Sequence, residues 1–234
     1  MSTPVQRLAT AHNNSSGVIL ARTSSAAVAV SIKVFRAGLN SSTKQSGRTD
    51  RSRTAAAGHS FGTAGNLLGL RVLDPETKKD VDLFDSRIKA GVLFATAGQG
   101  GDSLTTFAAE NMPHLNVSFT HMTTPTLVIV GDQDYTPQKY QLTVRGPEWM
   151  SDPYFLSPGA ESLLTLFGAE HSLGGIPGYE VTETTDENPE HVALIQLVSW
   201  AYLCHALDIE HDSWTAVQKA LSEDPNPIGR IESK

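Results

Sequence analysis

The chain has 234 residues, 39% of them hydrophobic and 18% charged, with a formal net charge of −7. That length suits a single domain, and that balance supports a packed core over wholesale disorder. The acidity argues against nucleic acid as a partner, and the single cysteine, Cys204, excludes an intramolecular disulfide.

The charge is unevenly spread. Residues 1–53 carry eight lysines and arginines against one acid, Asp50, a local net of +7 that leaves −14 on the rest. A basic, Ser/Thr-rich, acid-poor start has the character of an organellar transit peptide. It equally fits a solvated extension. Two strand candidates lie here, residues 17–21 and 26–35, and the second alternates Val28, Val30, Ile32 and Val34 with smaller or polar residues. We divide the chain into an atypical N-terminal segment, 1–49, and a folded domain, 50–234.

The folded domain opens on Thr54-Ala55-Ala56-Ala57, a small apolar run, followed by Gly58-His59-Ser60-Phe61-Gly62. Residues 63–72 have helical spacing. This is G-x-S-x-G between a strand and a helix, an arrangement that lifts a serine hydroxyl out of a sharp turn. The flanking glycines remove side chains that would clash at strained dihedrals. The N–H of Phe61 is left free to help hold an oxyanion. His59 reads as structural.

Further on, residues 87–97 (Ile88, Ala90, Val92, Leu93, Phe94) read as the next strand. Gly98-Gln99-Gly100-Gly101-Asp102 follows. It lacks the Gly-Lys-Ser/Thr ending of a phosphate loop and reads as part of a site rim. The mixed stretch 103–122, with Phe107, Met112, Leu115, Phe119 and Met122, fits either a substrate pocket or plain core. Pro125-Thr126-Leu127-Val128-Ile129-Val130 is β-branched and apolar throughout, the pattern of a strand buried on both faces of a parallel sheet. It runs into Gly131-Asp132-Gln133-Asp134. The proline-rich passage 135–158, with Trp149, Tyr154 and Phe155, is a candidate substrate wall.

A last buried strand, Ser162 to Phe167, leads into Gly168-Ala169-Glu170-His171-Ser172-Leu173-Gly174-Gly175. His171 thus sits on a glycine-rich loop past a strand. The apolar stretch 192–207 reads as a buried helix with Asn188 as cap and Pro189 in the first turn. Gln196, Ser199 and His205 interrupt it, and it is too short to span a bilayer. His114, His121, His191, His205 and His211 form no metal spacing, so no metal and no cofactor are expected.

A serine hydroxyl is a poor nucleophile until a base takes its proton, and the base needs a third group to orient it. Ser60, His171 and an acid supply these types, each just past a buried strand. Asp132 and Asp134 both lie in the turn. We favour Asp134, because in a G-D-x-D turn the second acid projects toward the histidine while the first stabilises the turn. Glu170 is the weaker candidate, being adjacent to His171 and pointing elsewhere.

With the order serine, acid, histidine along the chain, the sequence resembles the α/β-hydrolases. More narrowly it resembles predicted dienelactone hydrolases, chlorophyllase-like esterases and platelet-activating-factor acetylhydrolases. The residues that carry this are Gly58 to Gly62, Thr126 to Asp134 and Phe167 to Gly175, and the likeness runs from about Asp50 to the C-terminus. It implies an α/β fold, a mostly parallel sheet flanked by helices. It also implies cleavage of a small carboxylic ester through an acyl-enzyme, with Ser60 attacking, His171 shuttling the proton, Asp134 orienting His171 and Phe61 N–H forming half of an oxyanion hole. Thr63 departs from the group, which often has glycine there. The family's early strands and its His-Gly-Gly type signature for a second oxyanion donor are not evident before Ser60, which favours truncation over a transit peptide or a solvated extension as the reading of the N-terminal segment. A thioesterase or peptidase with the same triad, or a catalytically silent fold that only binds, are the alternatives. The expected location is cytoplasmic, with organellar import the alternative, and no integral membrane segment is expected.

Overall fold

In this computed structural model the described residues are 50, 52–60, 64–74, 77, 79–136, 141–176 and 185–234, together with the backbone of two strands at 17–22 and 31–36. The strands in chain order are β1 (Gly17–Arg22), β2 (Ser31–Arg36), β3 (Thr54–His59), β4 (Arg71–Leu73), β5 (Asp80–Val81), β6 (Ile88–Phe94), β7 (Val117–Ser118), β8 (Thr126–Gly131), β9 (Ala160–Leu166) and β10 (Gly229–Ser233). The helices are α1 (Gly65–Leu68), α2 (Thr106–Asn111), α3 (Asp152–Leu156), α4 (Pro189–Ala206) and α5 (Asp212–Ser222).

Seven strands form one sheet in the order β1-β2-β3-β6-β8-β9-β10. The four central strands, β3, β6, β8 and β9, run parallel, while β1, β2 and β10 are antiparallel additions. From Thr54 onward this is the expected α/β architecture, a mostly parallel sheet flanked by helices. The register aligns the carboxyl ends: His59 pairs with Phe94, Phe94 with Ile129, and Gly131 with Leu166. In open α/β sheets that edge is where ligand sites form.

Side chains alternate between the faces of a strand, and here both faces are covered. On one side Ala55, Val92, Ile129 and Leu164 pack against Leu194, Val198 and Tyr202 of α4 and Trp214 and Val217 of α5. On the other Ala56, Leu93, Val128 and Leu163 pack against Leu68, Phe119, Met122, Trp149 and Tyr154. Every residue of β8 is buried, as its uninterrupted apolar run predicts. The α4 cap is the expected one. The Asn188 side chain accepts from the N–H groups of Glu190 and His191, with Pro189 in the first turn.

Two expectations need correction, and one that was open between two readings is narrowed. The helix expected over 63–72 is only the short α1, and the chain then returns as β4, which pairs with β5 and β7 in a small second sheet. The stop is at Gly69, in a left-handed conformation at φ 108, where an added Cβ would lie 2.3 Å from the His121 carbonyl oxygen. No other residue suits that turn. The passage 135–158 is not an open wall. Trp149 and Tyr154 are core residues, while Phe155 is exposed. In 103–122, Leu115, Phe119 and Met122 likewise belong to the core, whereas Phe107 faces solvent.

Candidate active site

Ser60 directly follows β3 and takes φ 53. A non-glycine residue in that region is strained, and the strain persists only where the surroundings over-determine it. Small residues make the approach possible: Ala55, Ala56 and Ala57 are all buried with nothing larger to accommodate. Asp134 lies just past β8 and His171 just past β9, so adjacent parallel strands deliver both to the edge where Ser60 stands.

The three side chains form a continuous chain. His171 Nδ1 is 2.7 Å from Asp134 Oδ2, and His171 Nε2 is 2.8 Å from Ser60 Oγ. A carboxylate only accepts, so Nδ1–H donates to Asp134 and the bare Nε2 accepts from the serine hydroxyl. That is the tautomer a general base requires. Exposure divides the work: the Asp134 side chain is 0% exposed and that of His171 is 26% exposed. The carboxylate is sealed from water, where its hold on an imidazolium is strongest, while the imidazole is partly open to solvent. The second Asp134 oxygen accepts from Thr136 N–H.

The neighbouring acids bond elsewhere. Asp132 Oδ1 accepts the Gly168 N–H at 2.7 Å and braces the turn. The Glu170 carboxylate accepts from the Thr185 hydroxyl instead of facing His171. Gly131 permits the close approach of the two loops, since a Cβ there would lie 2.2 Å from the Ala169 carbonyl oxygen. Phe61, whose N–H is expected to hold an oxyanion, lies outside the described residues, as does Thr63.

Two further supports were not legible in the sequence. Asp186 Oδ2 accepts from both Glu170 N–H (2.8 Å) and Gly174 N–H (3.0 Å), pinning the loop on either side of His171. It lies in a polar run with no local pattern to mark it. The rim after β6 is clamped by Asp152, which accepts the Gln99 N–H and pairs in two places with the Arg145 guanidinium. Trp149 Nε1–H donates to the Gln99 carbonyl. The glycine at 98 is required, because a Cβ there would meet Trp149 O at 2.0 Å.

His59 also touches the site: its ring centroid is 5.0 Å from that of His171. Burial pushes its pKa below the ordinary histidine range, which keeps it neutral beside the base. Among the described residues no group of three or more His, Cys, Asp or Glu could hold a metal ion, and no helix is long and apolar enough to cross a membrane. No protein-family model matches the chain, and none of the curated proteins matches it either.

Proposed function

We propose that the protein is a serine hydrolase of the α/β-hydrolase type that cleaves carboxylic esters through an acyl-enzyme. One observation carries the reading: the unbroken Asp134–His171–Ser60 hydrogen-bond chain, with the serine on a strained turn at the carboxyl edge of the sheet. Strain, tautomer and order of contacts are all what nucleophilic acyl transfer demands.

The proposed steps use these contacts. Ser60 Oγ attacks the ester carbonyl while His171 Nε2 takes its proton. Asp134, already on Nδ1–H, stabilises the imidazolium that forms. Backbone N–H groups, that of Phe61 among them, would hold the oxyanion. His171 then gives the proton to the departing alcohol, leaving Ser60 acylated. Water enters, loses a proton to His171 and attacks the acyl carbon. The acid is released and the serine restored.

The test is a fluorophosphonate probe, with intact mass and peptide mapping. A single adduct on Ser60, absent in a folded Ser60→Ala variant, is expected. Ester turnover should fall by about 10⁴-fold or more in that variant. A folded wild-type protein that takes no adduct would instead support a silent fold that binds without turnover. Thioesters and peptides pass through the same acyl chemistry, and the leaving group is chosen by loops rather than by the triad. A panel of short acyl esters, thioesters and peptides separates them.

A further inference from the structure

A second imidazole stands beside the base, and the acyl transfer above gives it no task. His59 ends β3, directly before Ser60. Its Nε2 lies 2.7 Å from the carbonyl oxygen of His171. A carbonyl only accepts, so Nε2–H donates, and the neutral ring carries its proton there. The residue that precedes the nucleophile therefore bonds the backbone of the base.

The loop that carries His171 turns on itself, with Leu173 N–H on Glu170 O and Gly175 N–H on Ser172 O. It contains Gly168, Gly174 and Gly175, all at positive φ, and Leu173 at φ 50. Its ties to other segments include Asp132 to Gly168 N–H, Gln133 N–H to Ala169 O, and Asp186 to the amides of Glu170 and Gly174. These hold the flanks of the loop against its own side of the sheet edge. The His59 bond crosses to the strand that bears Ser60. It reaches residue 171 itself, at its backbone, leaving both ring nitrogens free for Asp134 and Ser60. Resting on the hydrolase reading, we propose that His59 is a positioning residue: its Nε2–H bond to the His171 carbonyl ties the base loop to the nucleophile's strand and sets the Ser60–His171 separation.

Two variants separate the donor from the bulk. Gln at 59 places an amide N–H near where the imidazole Nε2 stands. Phe keeps the ring and loses the donor. Amide hydrogen exchange over residues 168–175 reads the tie without any substrate. His59→Phe should speed that exchange by about tenfold or more and lower kcat by about 10- to 100-fold at nearly constant KM, since small misplacements of a reacting group are that costly. His59→Gln should restore both to within a few-fold. Should His59→Phe not fold, His59→Asn, whose amide falls short of the carbonyl, takes its place with the same expectation. Unchanged exchange and kcat in the donor-less variant would overturn the proposal, as would a Gln variant no better than Phe. If the wild-type protein hydrolyses no ester, the functional reading fails, and the exchange data still decide whether the tie exists.

Discussion

The loop after β9 and the loop after β6 meet the same sheet edge and are held by opposite means. The His171 loop hangs on carboxylates that accept backbone N–H groups, Asp132 and Asp186, and its central ring is left partly exposed. The Gln99 rim is locked by a buried carboxylate paired with a guanidinium, an indole on its carbonyl and a glycine with no room for a methyl group. In the first case the carboxylates hold the backbone, and the ring is held separately by Asp134 and Ser60. In the second the main chain itself is packed in at Gly98 and Gly100, and the Gln99 side chain is exposed. The contrast suggests that damage to the first should appear in turnover and damage to the second in stability.

The largest expected effect tests the first half. Asp134→Asn keeps the shape of the sealed site but can present an N–H to His171, favouring the tautomer that points a proton at Ser60. We expect kcat to fall about 10⁴-fold while the melting temperature moves little, checked by ester turnover beside a thermal melt. Near-normal turnover would break the comparison.

The second half is tested at Arg145. Its loss leaves the Asp152 carboxylate, only 8% exposed, without its cation. Arg145→Met should cost about 2 kcal/mol of stability, read from the denaturant midpoint, with kcat changed only a few-fold. A large loss of kcat at unchanged stability would show that the rim acts in turnover and not only in stability.

The smallest effect lies at the far end of the His171 loop. His191, on the first turn of α4, packs against Gly174, its ring is buried, and its Nδ1 has no hydrogen-bond partner. Burial pushes its pKa below the ordinary value. In the unfolded chain it protonates at the ordinary value, about 6.5, so the unfolded state gains the proton first. Stability is then complete above that pH and falls as acid is added, by at most about 1.4 kcal/mol per pH unit for this one group. His191→Gln should flatten the profile of unfolding free energy below about pH 6.5. An equally steep profile in the variant would assign the acid sensitivity to other groups, such as His59, whose pKa is lowered by the same cause.

What was legible in the sequence was what a short window carries. The apolar run of β8, the cap of α4 and the strand–turn–serine–turn pattern each record their own environment, so Thr126–Gly131, Asn188 and Ser60 fall where expected. Of the two acids in the turn after β8, Asp134 reaches His171 while Asp132 bonds Gly168 N–H. What failed depended on distant partners. Trp149 read as a wall because nothing local says that its indole lies under Gln99. The helix after the elbow read as long because the carbonyl of His121, which crowds Gly69, comes from far along the chain. Asp186 and the second role of His59 were invisible for the same reason.

Ser60 and His171 are 111 positions apart, and Asp134 and His171 are 37 apart. No fragment of the chain that stops before β9 contains the site. Contacts between such remote segments form late and slowly, since loop closure must be met before they reward it. The reactivity of Ser60 toward a small electrophile is accordingly a clock for maturation. During refolding it should rise only with the last strands of the parallel core, later than the far-ultraviolet signal of the helices, so that a single labelled serine reports when the polypeptide has finished becoming a protein.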